Sequence, residues 1–297
     1  MKLTLTIVLF IIAAYSCLAQ DYQNQFLVAC EANDTIEQGK ILNEWEDEDP
    51  NNPELYTSRF NYHFLRAQEE VLEISTQEPD GQSLAFQDSL GNNTGFIGSK
   101  IIYNPEEIDK ALKYIDEGIA KNPDRLDMRF GKTYVLGQIE DWESFTKTII
   151  ATIVHSETKK SQWLWTDNQI QEGDNNFMLS AIQDYQLQLY KTNNDDLLIN
   201  MRSIAERVLE IYPNHIESLS NLSVTYTLLG ELDKALSPLL KAESINSEDY
   251  VVVANIANTY KELNNKVKAI EYYEKLITFK EDGVAEFAKQ QLEMLKE

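Results

Sequence analysis

Apolar and small residues recur at helical spacing through most of the chain, and near the C-terminus that pattern itself repeats. Windows 216–249 and 250–283 align without a gap: Leu219 with Val253, Leu222 with Ile256, Ser223 with Ala257, Tyr226 with Tyr260, Ala235 with Ala269, and Leu239 with Tyr273, each pair 34 positions apart. Leu219, Leu222, Ser223 and Tyr226 follow one another at three and four residues, which is one face of a helix. Ala235, Leu239 and Ala242 do the same beyond Gly230. Each window therefore predicts two helices joined by a tight turn. Ser223, Ala235 and Ala242 are small where the helices of a hairpin must come closest, while Tyr226 and Leu239 fill the gap toward a neighbour. A hairpin this short cannot bury its own apolar stripe, so it has to stack on another.

Upstream the pattern persists with less regularity. Pro213 closes a unit whose helices are predicted over 177–191 (Phe177, Ala181, Tyr185, Leu189) and 196–211 (Met201, Ala205, Val208). Ala111 and Pro123 repeat the interval from Ala235 to Ser247 and from Ala269 to Glu281. Ile36–Trp45, the prolines Pro50 and Pro53, and a helix predicted over Tyr56–Ile74 read as a diverged first unit. Trp142, Phe145, Ile149 and Ile153 mark a further helix.

A small residue, an aromatic three on, an alanine nine further, an aromatic or leucine four on and a closing proline together resemble the tetratricopeptide repeat. The resemblance is strongest over 216–283. It implies an all-α fold, a tetratricopeptide-like helical-hairpin superhelix (solenoid) of about five or six units. Residues 20–175 would be diverged repeats with insertions and 176–297 the regular ones. Two segments break the period. Between a helix ending near Ser75 and one starting at Pro105, the runs Ser83–Gln87 and Phe96–Tyr103 flank Gly91, Asn92 and Asn93, which predicts a small inserted β-hairpin near 83–103. The second break, Ser156–Asn176, carries Trp163 and Trp165.

Composition narrows location and partners. Residues 1–19 join Lys2, an apolar run from Leu3 to Tyr15 and small residues at Cys17 and Ala19, the pattern of a secretory signal peptide. The run is too short to span a bilayer, so no transmembrane segment is expected in the mature chain. Cleavage after Ala19 predicts a periplasmic or secreted protein; lipidation at Cys17 would make it an outer-membrane lipoprotein instead. Either way Cys30 is the remaining thiol, and an intramolecular disulfide is not expected. Its place beside Phe26, Leu27 and Ala29 predicts an inert, buried thiol. With 26 Lys and Arg against 49 Asp and Glu, the net charge is −23. Phosphate backbones and anionic lipid surfaces repel such a chain, and no basic stripe reverses this, so nucleic acid is excluded as a partner.

Chemistry-bearing motifs are missing. His63, His155 and His215 stand far apart, with no HExxH, CxxC, GxSxG, Walker loop or GxGxxG. No catalytic residue, metal site or cofactor is predicted, and the chain is not read as an enzyme. What remains is a groove lined by the first helix of each pair. Glu217, Ser220, Asn221, Val224, Thr227 and Leu228 point into it from one repeat, and Val251, Asn255, Asn258, Lys261 and Glu262 from the next. Amide, hydroxyl and apolar side chains in that mixture suit an extended peptide. Members of the family that bind a terminal carboxylate clamp it with Lys, Asn and Arg. The equivalent positions here hold Gln186, Tyr190, Asn221, Val251 and Asn255, so the resemblance implies another ligand. The expected function is a non-enzymatic protein- or peptide-binding scaffold of the bacterial cell envelope, with a partner whose face is basic. The alternative is a carbohydrate or small-ligand binder that stacks its ligand on Trp163 and Trp165.

Overall fold

The computed structural model describes residues 21–79, 82–158 and 162–296. The signal segment 1–19, with Cys17, lies outside them. The described residues are helical apart from one small sheet, and they divide into two compact units. The first ends at Ile139 and also takes in Trp163–Gln171; the second holds Glu140–Gln162 and Glu172–Glu297.

The first unit contains α1 (21–31), α2 (Thr35–Glu48), α3 (Pro53–Ala67), α4 (Pro105–Lys121) and α5 (Leu126–Gln138). Phe26 and Ala29 of α1 pack on Ile41, Leu42 and Trp45 of α2, and Leu55 of α3 closes that core. Cys30 lies half-buried at its edge, where burial pushes the thiol up from its ordinary value. Helices α3 and α4 pair through Tyr56, Phe60, Phe64, Ile108, Ala111 and Ile115. Both begin at an asparagine followed by proline. The side chains of Asn52 and Asn104 accept hydrogen bonds from first-turn N–H groups, and Pro53 and Pro105 supply a helical φ where no donor is needed. At Gly118 a Cβ would lie 2.8 Å from the Cβ of Tyr56, so the α3–α4 contact needs a bare backbone there.

The inserted segment is a three-stranded antiparallel sheet of order β1-β3-β2, with β1 Gln68–Ser75, β2 Ser83–Gln87 and β3 Asn93–Tyr103. The predicted hairpin is β2 with β3; the helix expected to run on through Ile74 stops at Ala67. Nothing in QEEVLEIS forbids helix. The tertiary ladder decides, because β3 is longer than β2 and offers a second edge of unpaired backbone groups. All eight residues of β1 take it up, from Gln68 opposite Tyr103 to Ser75 opposite Phe96. In the turn between β2 and β3, the Asp88 carboxylate accepts from the N–H groups of Leu90 and Asn92, and Gly91 supplies a φ of 85°.

His63 is structural. Its Nδ1 lies 2.8 Å from Glu107 Oε2, and its ring stacks on Tyr114 with centroids 5.5 Å apart. Burial pushes the imidazole below its ordinary value. Hydrogen bonds from His63 and Lys110 hold the Glu107 carboxyl down to about 2, from an ordinary 4.5. A carboxylate with a lower pKa folded than unfolded stabilises the fold fully above its unfolded value and loses that share as pH falls. We therefore expect Glu107→Gln to flatten the loss of stability between pH 4.5 and 2 relative to the parent chain. Denaturant titrations at a series of pH values check this; parallel stability curves would refute it.

The second unit contains α6 (Trp142–Thr158), α7 (Asp174–Lys191), α8 (Leu198–Ile211), α9 (Ile216–Leu228), α10 (Leu232–Ile245), α11 (Tyr250–Glu262), α12 (Lys266–Ile277) and α13 (Val284–Lys296). The 34-residue match is a match of burial. Leu219, Ser223, Ala235 and Leu239 are buried, as are Val253, Ala257, Ala269 and Tyr273. Ser223 Oγ donates to the Ala235 carbonyl at 2.7 Å, which locks α9 to α10 where the small residues let them approach. Asn193, Gly230 and Asn264, all at positive φ, end α7, α9 and α11. Glycine and asparagine are the residues that tolerate this left-handed conformation. The short 3₁₀ turn Asp195–Leu197 lengthens the spacing between the first two of these turns beyond the spacing of the second pair.

Candidate functional site

Helices α7, α9 and α11 present one face each to a common groove. Their contributions are Gln183, Leu187 and Tyr190 from α7, Ile216, Glu217, Ser220, Asn221 and Val224 from α9, and Val251 and Asn255 from α11. The spacing is i, i+3, i+4, i+7, beside the stripe that α9 uses for packing. With Met201 and Asp249 these residues line a cavity of about 470 Å³. A second cavity of about 340 Å³ continues along α7 past Asn176, Leu179 and Ser180, sharing Gln183 and Glu217 and reaching His215.

Six of the expected groove residues, Glu217, Ser220, Asn221, Val224, Val251 and Asn255, line the main cavity. Thr227, Leu228, Asn258, Lys261 and Glu262 do not. The Thr227 carbonyl accepts from Gly230 N–H in the turn, and Leu228 is half exposed beside it. Asn258 Oδ1 accepts from the hydroxyl of Tyr273 at 2.5 Å, inside the hairpin. Lys261 Nζ donates to Gln291 of α13 at 2.8 Å. Helix α13 starts at Val284, 34 residues after Tyr250, as the first helix of a further, incomplete unit; it lies beyond the two windows aligned in the sequence, so its hold on Lys261 did not show there.

Asn221 also has a different task from the one expected. It is 7% exposed, and its Nδ2 donates to Gln183 Oε1 at 2.6 Å. The amide ties α7 to α9 and forms the groove floor together with Ser220, which is 8% exposed, leaving Asn255 as the more open amide on the main cavity's wall. Sequence reading missed Gln183, Leu187 and Asp249. The first two carry the same spacing one helix pair earlier, hidden by the lengthened turn after α7. Gln186, placed by the family comparison on the groove, is 1% exposed and does not line it.

The electrostatics are one-sided. Glu217 and Asp249 are the charged residues of the main cavity, which has no lysine or arginine in its lining. The Asp249 Oδ1 atom accepts from the N–H groups of Val251 and Val252, capping α11. At the start of α9, His215 Nδ1 accepts from Ser218 N–H at 3.3 Å, while Nε2 lies 3.2 Å from Glu217 Oε2. Burial pushes His215 below its ordinary value, and the nearby Glu217 charge opposes that shift.

Trp163 and Trp165 belong to the first unit. Trp163 is 1% exposed, with the Arg129 guanidinium 5.9 Å over its ring. Trp165 meets Phe130 edge to face at 6.3 Å. A stacking platform needs an open ring face, and Trp163 has none to offer. The segment is instead fastened to the start of α5: Leu164 N–H donates to the Asp124 carbonyl, and Leu126 N–H donates to the Leu164 carbonyl, each at 2.9 Å. Among the described residues no group of three or more His, Cys, Asp or Glu could hold a metal, and no helix is long and apolar enough to cross a membrane.

Residues 252–282, which cover nearly all of α11 and α12, match the sequence model of the tetratricopeptide repeat. The chain carries a tetratricopeptide repeat. Within that repeat Ala257 and Ala269 are the small residues at the helix crossing, and Tyr273 is the large one filling the space toward α13. Solved structures similar to the chain include YrrB, a tetratricopeptide repeat protein with an unusual peptide-binding site (17% identity, covering 84% of this chain and 97% of that one, TM-score 0.42). A tetratricopeptide repeat protein from Parabacteroides merdae is 9% identical over 94% of this chain and 86% of its own, with a TM-score of 0.39. PilW, a type IV pilus biogenesis factor, is 11% identical over 87% and 92%, with a TM-score of 0.38. No curated protein matches the chain.

Proposed function

We propose that this chain is a non-enzymatic binding scaffold that takes an extended segment of a partner protein into the groove of α7, α9 and α11. The observation that carries this is the pair of adjoining cavities along one face of successive helices, apolar at Leu187, Val224 and Val251 and polar at Ser220 and Asn255. Apolar walls take side chains out of water, and wall amides and hydroxyls hydrogen-bond a backbone that has no partner strand. The signal-like segment 1–19 supports a place for this activity in the bacterial cell envelope, periplasmic or secreted, or membrane-tethered through Cys17.

The test is retention from an envelope extract by the mature chain and by Val224→Glu, each shown by circular dichroism to be helical. A carboxylate on the apolar wall should weaken binding at least about tenfold, equivalent to about 1.4 kcal/mol. We expect one protein to be retained by the parent chain and lost from the variant. Equal retention by both would place the binding surface elsewhere.

A further inference from the structure

Resting on that reading of the groove, we propose that it selects segments bearing a lysine, an arginine or a free amino terminus beside apolar residues, the cation seated at the Glu217 and Asp249 end. Three observations converge on this partner. First, the two charged residues of the main cavity are both carboxylates, and no cation lines it. They come from the N-terminal ends of neighbouring helices, Glu217 from the first turn of α9 and Asp249 from the N-cap of α11, while the apolar residues Leu187 and Val224 and the ring of Tyr190 lie further along the helices. The groove therefore carries its charge at one end, beside Ile216 and Val251, and none toward the other.

Second, the feature that would ordinarily draw an anion to such a place is already used. Helix N-termini attract negative charge through their unpaired N–H groups. Here Asp249 occupies those of Val251 and Val252, and His215 takes that of Ser218. A ligand carboxylate would meet two like charges with few donors left to offset them, whereas an ammonium or guanidinium would meet two acceptors.

Third, the Glu217 charge is left for a ligand to neutralise. Its near neighbour His215 accepts from Ser218 N–H through Nδ1, and burial favours its neutral form, so the imidazole can donate to Glu217 without cancelling its charge. The whole chain carries −23, which disfavours a second copy as occupant and favours a cationic segment through longer-range attraction.

Panning a random heptapeptide library against the full mature chain tests this, with affinities of the selected peptides then measured by fluorescence anisotropy at physiological salt. We expect lysine, arginine or a free amine next to Leu, Ile, Val or Phe. Glu217→Gln with Asp249→Asn should weaken binding about tenfold, the asparagine preserving an oxygen to cap α11. Replacing the peptide's lysine by glutamine should cost as much on the parent chain and little more on the double variant, the signature of direct pairing. Glu217→Gln alone serves if the double variant misfolds, since the Glu217 side chain is 57% exposed. Selection of carboxylate-bearing peptides, or of cationic ones indifferent to both substitutions, would overturn the proposal while leaving the groove reading intact, provided Val224→Glu still abolishes binding. Peptides indifferent to Val224→Glu, or no peptides at all, would overturn both.

Discussion

Replacing Arg125 by alanine is expected to destabilise the first unit by about 3–5 kcal/mol, the usual cost of removing one partner from a buried ion pair. Arg125 is fully buried and makes two bidentate pairs. Its Nη1 and Nη2 atoms donate to Glu54 at 2.5 and 3.0 Å, and its Nε and Nη2 atoms donate to Asp127 at 2.9 and 2.8 Å. Burial pulls the guanidinium down, but the bonds to Asp127 and Glu54 outweigh it and leave the group above its ordinary value. Alanine would leave two carboxylates facing each other in a site closed to water, which is why the loss exceeds that of a surface bridge. Lysine would restore the charge but not the planar fork that grips both acids, so Arg125→Lys should recover only part of the stability. Asp167 N–H donates to Glu54 Oε1 at 2.9 Å, so the same change should loosen the tryptophan segment. Denaturation followed by circular dichroism, with hydrogen exchange at Leu164 and Gln171, checks both effects. A loss under about 1 kcal/mol would show that the pairing barely exceeds its desolvation cost.

Tyr273→Ala should destabilise the C-terminal repeat by a similar amount, about 3–5 kcal/mol, as large aromatic truncations in cores do. The ring is fully buried among Val253, Ala257, Ala269, Leu276, Ala288 and Leu292 and meets Phe287 edge to face at 6.3 Å. Burial pushes the hydroxyl up to about 12, so it stays protonated and donates to Asn258. Tyr273→Phe isolates that hydrogen bond and should cost about 1 kcal/mol. The matching position one repeat earlier is Leu239, also fully buried, so Tyr273→Leu should fall between the two. Unfolding of such repeats need not be all-or-none, so the readout is hydrogen-exchange protection of α11, α12 and α13. Alanine and phenylalanine variants of equal stability would contradict this account of the core.

Much of this was legible because it is local. Helical spacing and the 34-residue interval placed α9 to α12, and the small residues Ser223, Ala235 and Ala242 marked where helices cross. The groove face of α9 followed from the same arithmetic, since residues excluded from packing on a helix must point elsewhere. The start of α4 at Pro105 is readable in the same way, whereas α3, expected from Tyr56, begins one turn earlier at Pro53. The β2–β3 hairpin was announced by its turn.

Contacts between distant positions decided the rest. Arg125 and Glu54 are 71 residues apart, and Glu54 and Asp167 are 113 apart, so no spacing rule links them. Strand β1 could have been helix; only the second edge of β3 settles it. Trp163 reads in sequence as a binding aromatic, yet it is buried beneath Arg129 because its neighbours pair with the start of α5. Asn258, Lys261 and Asn221 carry the polar character of groove residues, but partners on α12, α13 and α7 claim them. The periodic parts of this protein, helix pairs and the faces they bury, follow from the order of residues alone, because helical order and close packing depend on residues three, four and 34 apart. Tertiary structure decided which polar groups remain available to a ligand, because a hydrogen-bonding group is free only when no other part of the chain has satisfied it.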